Sequence, residues 1–147
     1  MADTKPPTIV DLTWDHGLAF TARDGAHAWV LDGRNHAGPS PVIALASALA
    51  GCMSIDLVVI LTKGRHALRA MSARVVGHRS DDEPRRFLRV EMRFALDTDA
   101  SPDQIQRAID LSREKYCSVW HSLRQDIELV TSFVNEPDRV ITPGVIL

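Results

Sequence analysis

The two cysteines of this chain, Cys52 and Cys117, are the side chains best suited to covalent chemistry. Each is embedded in apolar residues, Cys52 in ALAGCMSIDLVVIL and Cys117 in EKYCSVWHS. A pair of thiols can divide a redox reaction, one attacking as the thiolate and the other resolving the product. A free cysteine has a pKa of about 8.5 and is only a few per cent ionised at neutral pH. Burial disfavours the thiolate further. Cys52 lies about 17 Å along its segment if that segment is a helix rising about 1.5 Å per residue. That is beyond the terminal turn in which a helix dipole acts. A reactive Cys52 therefore needs a cation from elsewhere in the fold. Arg23, the last residue before Asp24-Gly25, is a candidate, and Arg113 and Lys115 could bring positive charge near Cys117. Asp56 stands one helical turn after Cys52 and so shares its face.

Other uses of these residues compete. A buried cysteine can be a small apolar filler, and Arg23 can be a solvated charge at a hairpin edge. Cys117 and His121 would share a helix face and could ligate a metal with Cys52 and another histidine. Zinc sites more often show several close ligand pairs, and only one exists here. The expectation is no metal. CxxC, HExxH, Walker and GxGxxG motifs are missing, and no GxSxG elbow supports a serine hydrolase.

The element that must position Cys52 is the run Ser40–Leu61, SPVIALASALAGCMSIDLVVIL. Ser40 suits an N-cap and Pro41 the first turn. The run is too long for a strand and rich in Ala and Leu, which predicts a helix ending near Lys63-Gly64, with Gly64 as C-cap. Apolar on every side, it is expected to be buried on every side as the central core element. Asp56 near its middle, diluting Gly51, Ala and Ser residues, and the lack of flanking aromatics argue against a bilayer span.

Before it, Ile9–Trp14, Leu18–Arg23 and Ala26–Asp32 read as three strands, with His16-Gly17 and Asp24-Gly25 as tight turns. Residues 32–39 are a loop. After it come a strand over Leu68–His78, a charged loop to Arg86, and a half-buried strand in which Leu88, Val90, Met92, Phe94 and Leu96 alternate with polar positions. Ser101 and Gln104 form a capping box. Ile105, Ala108, Ile109, Ser112 and Tyr116 then mark one helix face. A helical piece over Ser118–Gln125 and a last strand over Glu128–Asn135 complete the chain, with 136–147 as a tail. Segregated strands and helices predict an α+β fold with mostly antiparallel sheets around the helix, and one domain over 1–147. Dimerisation is expected to complete the covering of that helix.

At 147 residues the chain can bury a substantial core, and its net charge of −2 argues against a dedicated nucleic-acid binder. No secretory signal is read in the first residues, so the expected location is cytoplasmic, where a cysteine pair is more often redox-active than a structural disulfide.

GPSP before the apolar helix with its AGC…ID, and EKYCSV about 60 residues later, resemble the OsmC/Ohr family, the osmotically inducible protein C and organic hydroperoxide resistance proteins, in its OsmC-like branch. The resemblance spans roughly Gly17 to Asn135. It implies an intertwined homodimer with the long helices back to back at its centre. It implies thiol-dependent reduction of hydroperoxides with no bound cofactor and an external dithiol as reductant. On the matching positions Cys52 is the peroxidatic cysteine, Cys117 the resolving cysteine and Arg23 the thiolate-activating arginine. One position departs from the pattern. The family usually has a glutamate two residues after the helix-opening proline, orienting the arginine, and here that residue is Ile43. The alternative this raises is a non-peroxidatic protein of the same fold that binds a small apolar ligand. Neither nucleic acid nor membrane is an expected partner.

Overall fold

The computed structural model describes residues 4–144; the last three residues of the expected tail lie outside them. The chain forms two compact units, one up to Leu45 and one from Ala46 on.

The first unit is an antiparallel meander of β1 (Asp11–His16), β2 (Ala19–Arg23) and β3 (Ala28–Asp32), in the order β1-β2-β3. Arg23 closes β2 and pairs with Asp11 on one side and Ala28 on the other. The turn after it is longer than the expected two residues. The Asp24 carboxylate accepts the backbone N–H groups of Ala26 and His27, at 2.9 and 2.7 Å, and the Asp24 N–H reaches the His27 carbonyl. This side-chain turn, with Gly25 at φ +95°, delays the third strand to Ala28. In the loop that follows, the Asp32 carboxylate accepts N–H groups from Arg34, His36 and Ala37. Those bonds hold its pKa below the usual carboxylate value.

Helix α1 (Pro41–Lys63) begins as its sequence predicts, with the Ile43 N–H donating to Ser40 Oγ at 3.4 Å. It ends at Lys63, as predicted, but by a different residue's turn. The left-handed residue is not Gly64 but Arg65, at φ 63°. His66 N–H bonds to the Leu61 carbonyl and Arg65 N–H to the Thr62 carbonyl, both at 3.0 Å. These are the paired 6→1 and 5→2 bonds of a Schellman end.

The second unit carries a sheet in the order β4-β5-β6, from β4 (Leu68–Arg79), β5 (Phe87–Thr98) and β6 (Glu128–Asn135). β4 and β5 are antiparallel, while β6 runs parallel to β5. A parallel neighbour needs a crossover. Here it is made by α2 (Pro102–Leu111), a π turn over Ser112–Tyr116 and α3 (Ser118–His121). The capping box opens α2 as expected, with Ser101 and Gln104 bonded reciprocally. On β5, Val90, Met92, Phe94 and Leu96 face inward and are buried. Arg89, Glu91 and Arg93 face outward, where Glu91 pairs with His78, Arg89 and Arg93. This is the alternation of a strand with one dry and one wet face.

The core joins Leu49, Met53, Leu57 and Leu61 of α1 to the inner face of β5 and to Ile105, Ala108 and Ile109 of α2. The α1 contribution is a single stripe at four-residue spacing. Although α1 has the length and composition of a membrane span, this stripe packs as a core helix does. The all-round burial expected from its sequence is not reached within the chain, because Ile55, Val58 and Val59 on another face stay exposed.

A left-handed conformation costs a residue with a Cβ about 1–2 kcal/mol, and glycine avoids that cost. Arg65→Gly is therefore expected to raise stability, by up to about 1 kcal/mol after the added unfolded-state entropy of glycine is counted. Urea denaturation should show a higher midpoint at unchanged slope.

Candidate functional site

Cys52 and Asp56 project from α1 one turn apart, on the flank of its buried stripe, and both are partly buried. Cys117 comes to them from the crossover. A regular helix continuing α2 would carry Tyr116 onto the inner face. The π turn inserts one more residue. The Cys117 N–H bonds to the Ser112 carbonyl five residues back, at 2.8 Å. As a result Ser112 and Cys117 are both fully buried, while Tyr116 is 49% exposed. The reading of Tyr116 as a core residue is thus corrected: the wide turn rotates it out and Cys117 in. π turns of this kind are frequent at functional sites.

The outcome is a cluster in which Cys52 Sγ, Cys117 Sγ and an Asp56 carboxylate oxygen all lie within 4.8 Å of one another. Ser112 Oγ donates to Asp56 Oδ2 at 2.8 Å and fixes that carboxylate. Ser118 Oγ lies 3.9 Å from the Cys52 sulfur. Cys117 is the N-cap of α3, its sulfur accepting the Trp120 N–H at 3.3 Å. The two cysteines are free thiols, Cys52 partly accessible and Cys117 enclosed.

The enclosed sulfur is held protonated. Burial pushes the Cys117 thiol from 9.0 up to about 11, against the Trp120 N–H, which favours the thiolate. Hydrogen bonding and electrostatic interaction with Cys52, and the negative charge of Asp56, act in the same upward direction as burial. Cys117 is therefore a protonated thiol at neutral pH and can donate to its neighbour. The positive charge that the sequence suggested near Cys117 does not act on it. Lys115 is exposed and lies over the Tyr116 ring, 5.2 Å from its centroid, because the π turn swings 114–116 toward solvent. The helical piece expected over Ser118–Gln125 stops at His121. His121 is exposed there, outside the cluster, and the carboxylate beside the two sulfurs is Asp56.

Beside the cluster a cleft of about 310 Å³ is lined by Asp56, Val59, Ile60, Lys63, Leu111 and Tyr116. Val59, Ile60 and Leu111 give it apolar lining, and Asp56 and Lys63 are its charged residues. A larger cleft of about 630 Å³ lies on the outer face of the β4-β5-β6 sheet, under the 136–141 segment, and holds none of the cysteine cluster. Arg23, the third residue singled out from the sequence, is exposed at the end of β2 in the first unit. Ile43, also exposed, stands in the first turn of α1.

The sequence suggests the two thiols as a pair, the family resemblance assigns their roles, and Asp56 is marked only by its spacing. Ser112 and Ser118 were missed. A signal existed for the first: the gap from Ser112 to Cys117 is five residues, one more than a helix face allows, and a wide turn is what reconciles it.

Residues 33–132 match the family described as OsmC-like protein. Protein YhfA of Escherichia coli (strain K12) is 32% identical over 123 residues, covering 82% of this chain and 92% of its own. The fold resembles the crystal structure of an OsmC like protein from Mycoplasma pneumoniae, at 16% identity and TM-score 0.79, covering 89% of this chain and 98% of that one. It also resembles an organic hydroperoxide resistance protein from Legionella pneumophila, at 14% identity and TM-score 0.68, over 89% and 98%.

The raised pKa and enclosure of Cys117, beside a partly accessible Cys52, predict how the two thiols react. A pKa moved from 9.0 to about 11 reduces the thiolate fraction at neutral pH about a hundredfold. With iodoacetamide on the reduced native protein, mass spectrometry should find alkylation at Cys52 first. Labelling of Cys117 should rise steeply only as pH climbs from 9.0 toward about 11, or once the chain is unfolded. Equal labelling of both in the native protein at neutral pH would contradict the site as described.

Proposed function

For a chain that belongs to the OsmC-like protein family, we propose that the reduced Cys52–Cys117 pair is a hydroperoxide reductase acting on organic peroxides, with oxidative-stress defence as its role. The family and the two neighbouring cysteines fit a redox or peroxide-related function. The observation that carries the finer reading is the division within the pair: an accessible sulfur beside an enclosed, protonated one, all within 4.8 Å.

The Cys52 thiolate attacks one peroxide oxygen. The O–O bond breaks, the alcohol leaves with a proton, and Cys52 becomes a sulfenic acid. The Cys117 sulfur then displaces the hydroxyl. Its own proton leaves with that hydroxyl as water, and the sulfurs close to the disulfide distance of about 2 Å. An external dithiol returns the pair to the reduced state, so no bound cofactor is required. The cleft along Val59, Ile60 and Leu111 suits the organic part of the peroxide. Organic hydroperoxide is the class to test first, since a protein of that name shares the fold.

The decisive experiment counts thiols and intact mass before and after one equivalent of an organic hydroperoxide. Wild type should lose both thiols per chain within seconds to minutes. Cys52→Ser should lose activity entirely. Cys117→Ser should stop at a trappable Cys52 sulfenic acid and turn over only with a monothiol. Arg23→Ala should slow the first step without altering the final thiol count. Full activity in Cys52→Ser would overturn the proposal.

A second reading rests on Ile43. An isoleucine where the family usually has glutamate makes this position apolar, and the protein would then bind a small apolar ligand without turnover. A displaceable apolar ligand in native mass spectra, with inert thiols, would favour that reading over the first.

We also propose that the working form is a homodimer. Leu12 and Trp14 on β1 and Ile55, Val58 and Val59 on α1 are exposed apolar residues, and Ile55 reaches 65% exposure. Exposed apolar surface of this kind, on each unit, marks a face for interaction. Sedimentation equilibrium should give twice the chain mass, and Ile55→Lys should shift it toward the monomer. A monomeric wild type at micromolar concentration would refute the dimer.

A further inference from the structure

We propose that the reduced protein holds one thiophilic divalent cation, of the zinc or cadmium class, on Cys52 Sγ, Cys117 Sγ and a carboxylate oxygen of Asp56. Those three atoms already lie within 4.8 Å of one another. A tetrahedral ion with bonds of about 2.3 Å to sulfur and about 2.0–2.2 Å to oxygen needs its ligand atoms roughly 3.5–3.8 Å apart. The site therefore closes around an ion by shifts of about an ångström or less, which side-chain rotation can supply.

Three further features favour an ion over a bare cluster. The first is support. Ser112 Oγ holds Asp56 Oδ2 at 2.8 Å, which orients the carboxylate and leaves its other oxygen for the metal, as outer partners of metal ligands commonly do. The second is rigidity. Cys52 and Asp56 are fixed four residues apart on α1, and Cys117 is fixed by its bond to the Ser112 carbonyl at the π turn. The third is charge. Two thiols and a carboxylate converge where, among the described residues of their own unit, no cation forms an ion pair with Asp56. A divalent ion that displaces the two thiol protons compensates that charge. Three protein ligands leave a fourth tetrahedral position for solvent or another small ligand.

The site would exist only in the reduced state, because a Cys52–Cys117 disulfide removes two of its three ligands. Bound metal would in turn shield both sulfurs from oxidation. This inference needs only the reduced thiols and is independent of whether they reduce peroxides.

The test uses reduced full-length protein and Co²⁺ as a spectroscopic probe, with Zn²⁺ in competition. The expected result is one Co²⁺ per chain, an intense thiolate-to-cobalt charge-transfer band, and its loss on adding one equivalent of Zn²⁺. Cys52→Ser should lose the band. Asp56→Asn should keep the fold by circular dichroism and weaken binding at least about 10-fold. Absence of the band in wild type, an unchanged band in Cys52→Ser, or full affinity in Asp56→Asn would each overturn the assignment. Peroxide consumption measured separately in metal-free buffer distinguishes the two proposals: a protein that binds Co²⁺ through Cys52 yet ignores peroxide keeps this one and loses the other.

Discussion

One backbone hydrogen bond sets the geometry on which the rest of the site depends. The Cys117 N–H reaches five residues back to the Ser112 carbonyl. Without that wider turn the crossover would present Tyr116 inward and turn the second thiol away. With it, a serine and a cysteine five residues apart are both enclosed against α1, facing the two α1 residues that are four apart. Spacings of five and four meet because one side is a π turn and the other an α-helix. The two helical geometries convert a pair separated by 64 intervening residues into one cluster.

The electrostatic consequence is an asymmetric pair. Desolvation is the larger cause for Cys117, and its neighbours Cys52 and Asp56 add to it. A thiol held protonated in this way is a poor nucleophile and, through its S–H, only a weak hydrogen-bond donor. Its partner is the sulfur that solvent can reach. The carboxylate beside them is itself tied down by Ser112, so its charge is fixed in place rather than free to swing.

Much of the fold was legible in the sequence because its signals were local. Ser40-Pro41 announced the start of α1, Ser101 and Gln104 the start of α2, and the alternation from Val90 to Leu96 the inner face of β5. Each is decided by residues within a turn or a strand of one another. What was not legible depended on the backbone making an uncommon choice. Arg65, not Gly64, takes the left-handed position, since the two Schellman bonds fix the register of the helix end and glycine is one residue early for it. Asp24 lengthens its turn by accepting two N–H groups, where Asp-Gly alone predicted a two-residue hairpin. The parallel pairing of β6 follows from the crossover and not from any residue within β6. At the site, the two cysteines and Asp56 were visible as residue types, but their meeting was not. It hangs on a turn whose only trace in the sequence is a five-residue gap.

The sulfur of Cys117 has a second duty, as the cap that receives the Trp120 N–H at the start of α3. Any change in that sulfur's bonding or charge therefore changes how the first turn of α3 is tethered, and three residues along that turn sits a nearly enclosed indole, 4% exposed. The chemical state of the thiol is thus written into the surroundings of a tryptophan. The chain carries its own optical gauge of what happens at the cysteines, read as intrinsic fluorescence without any label.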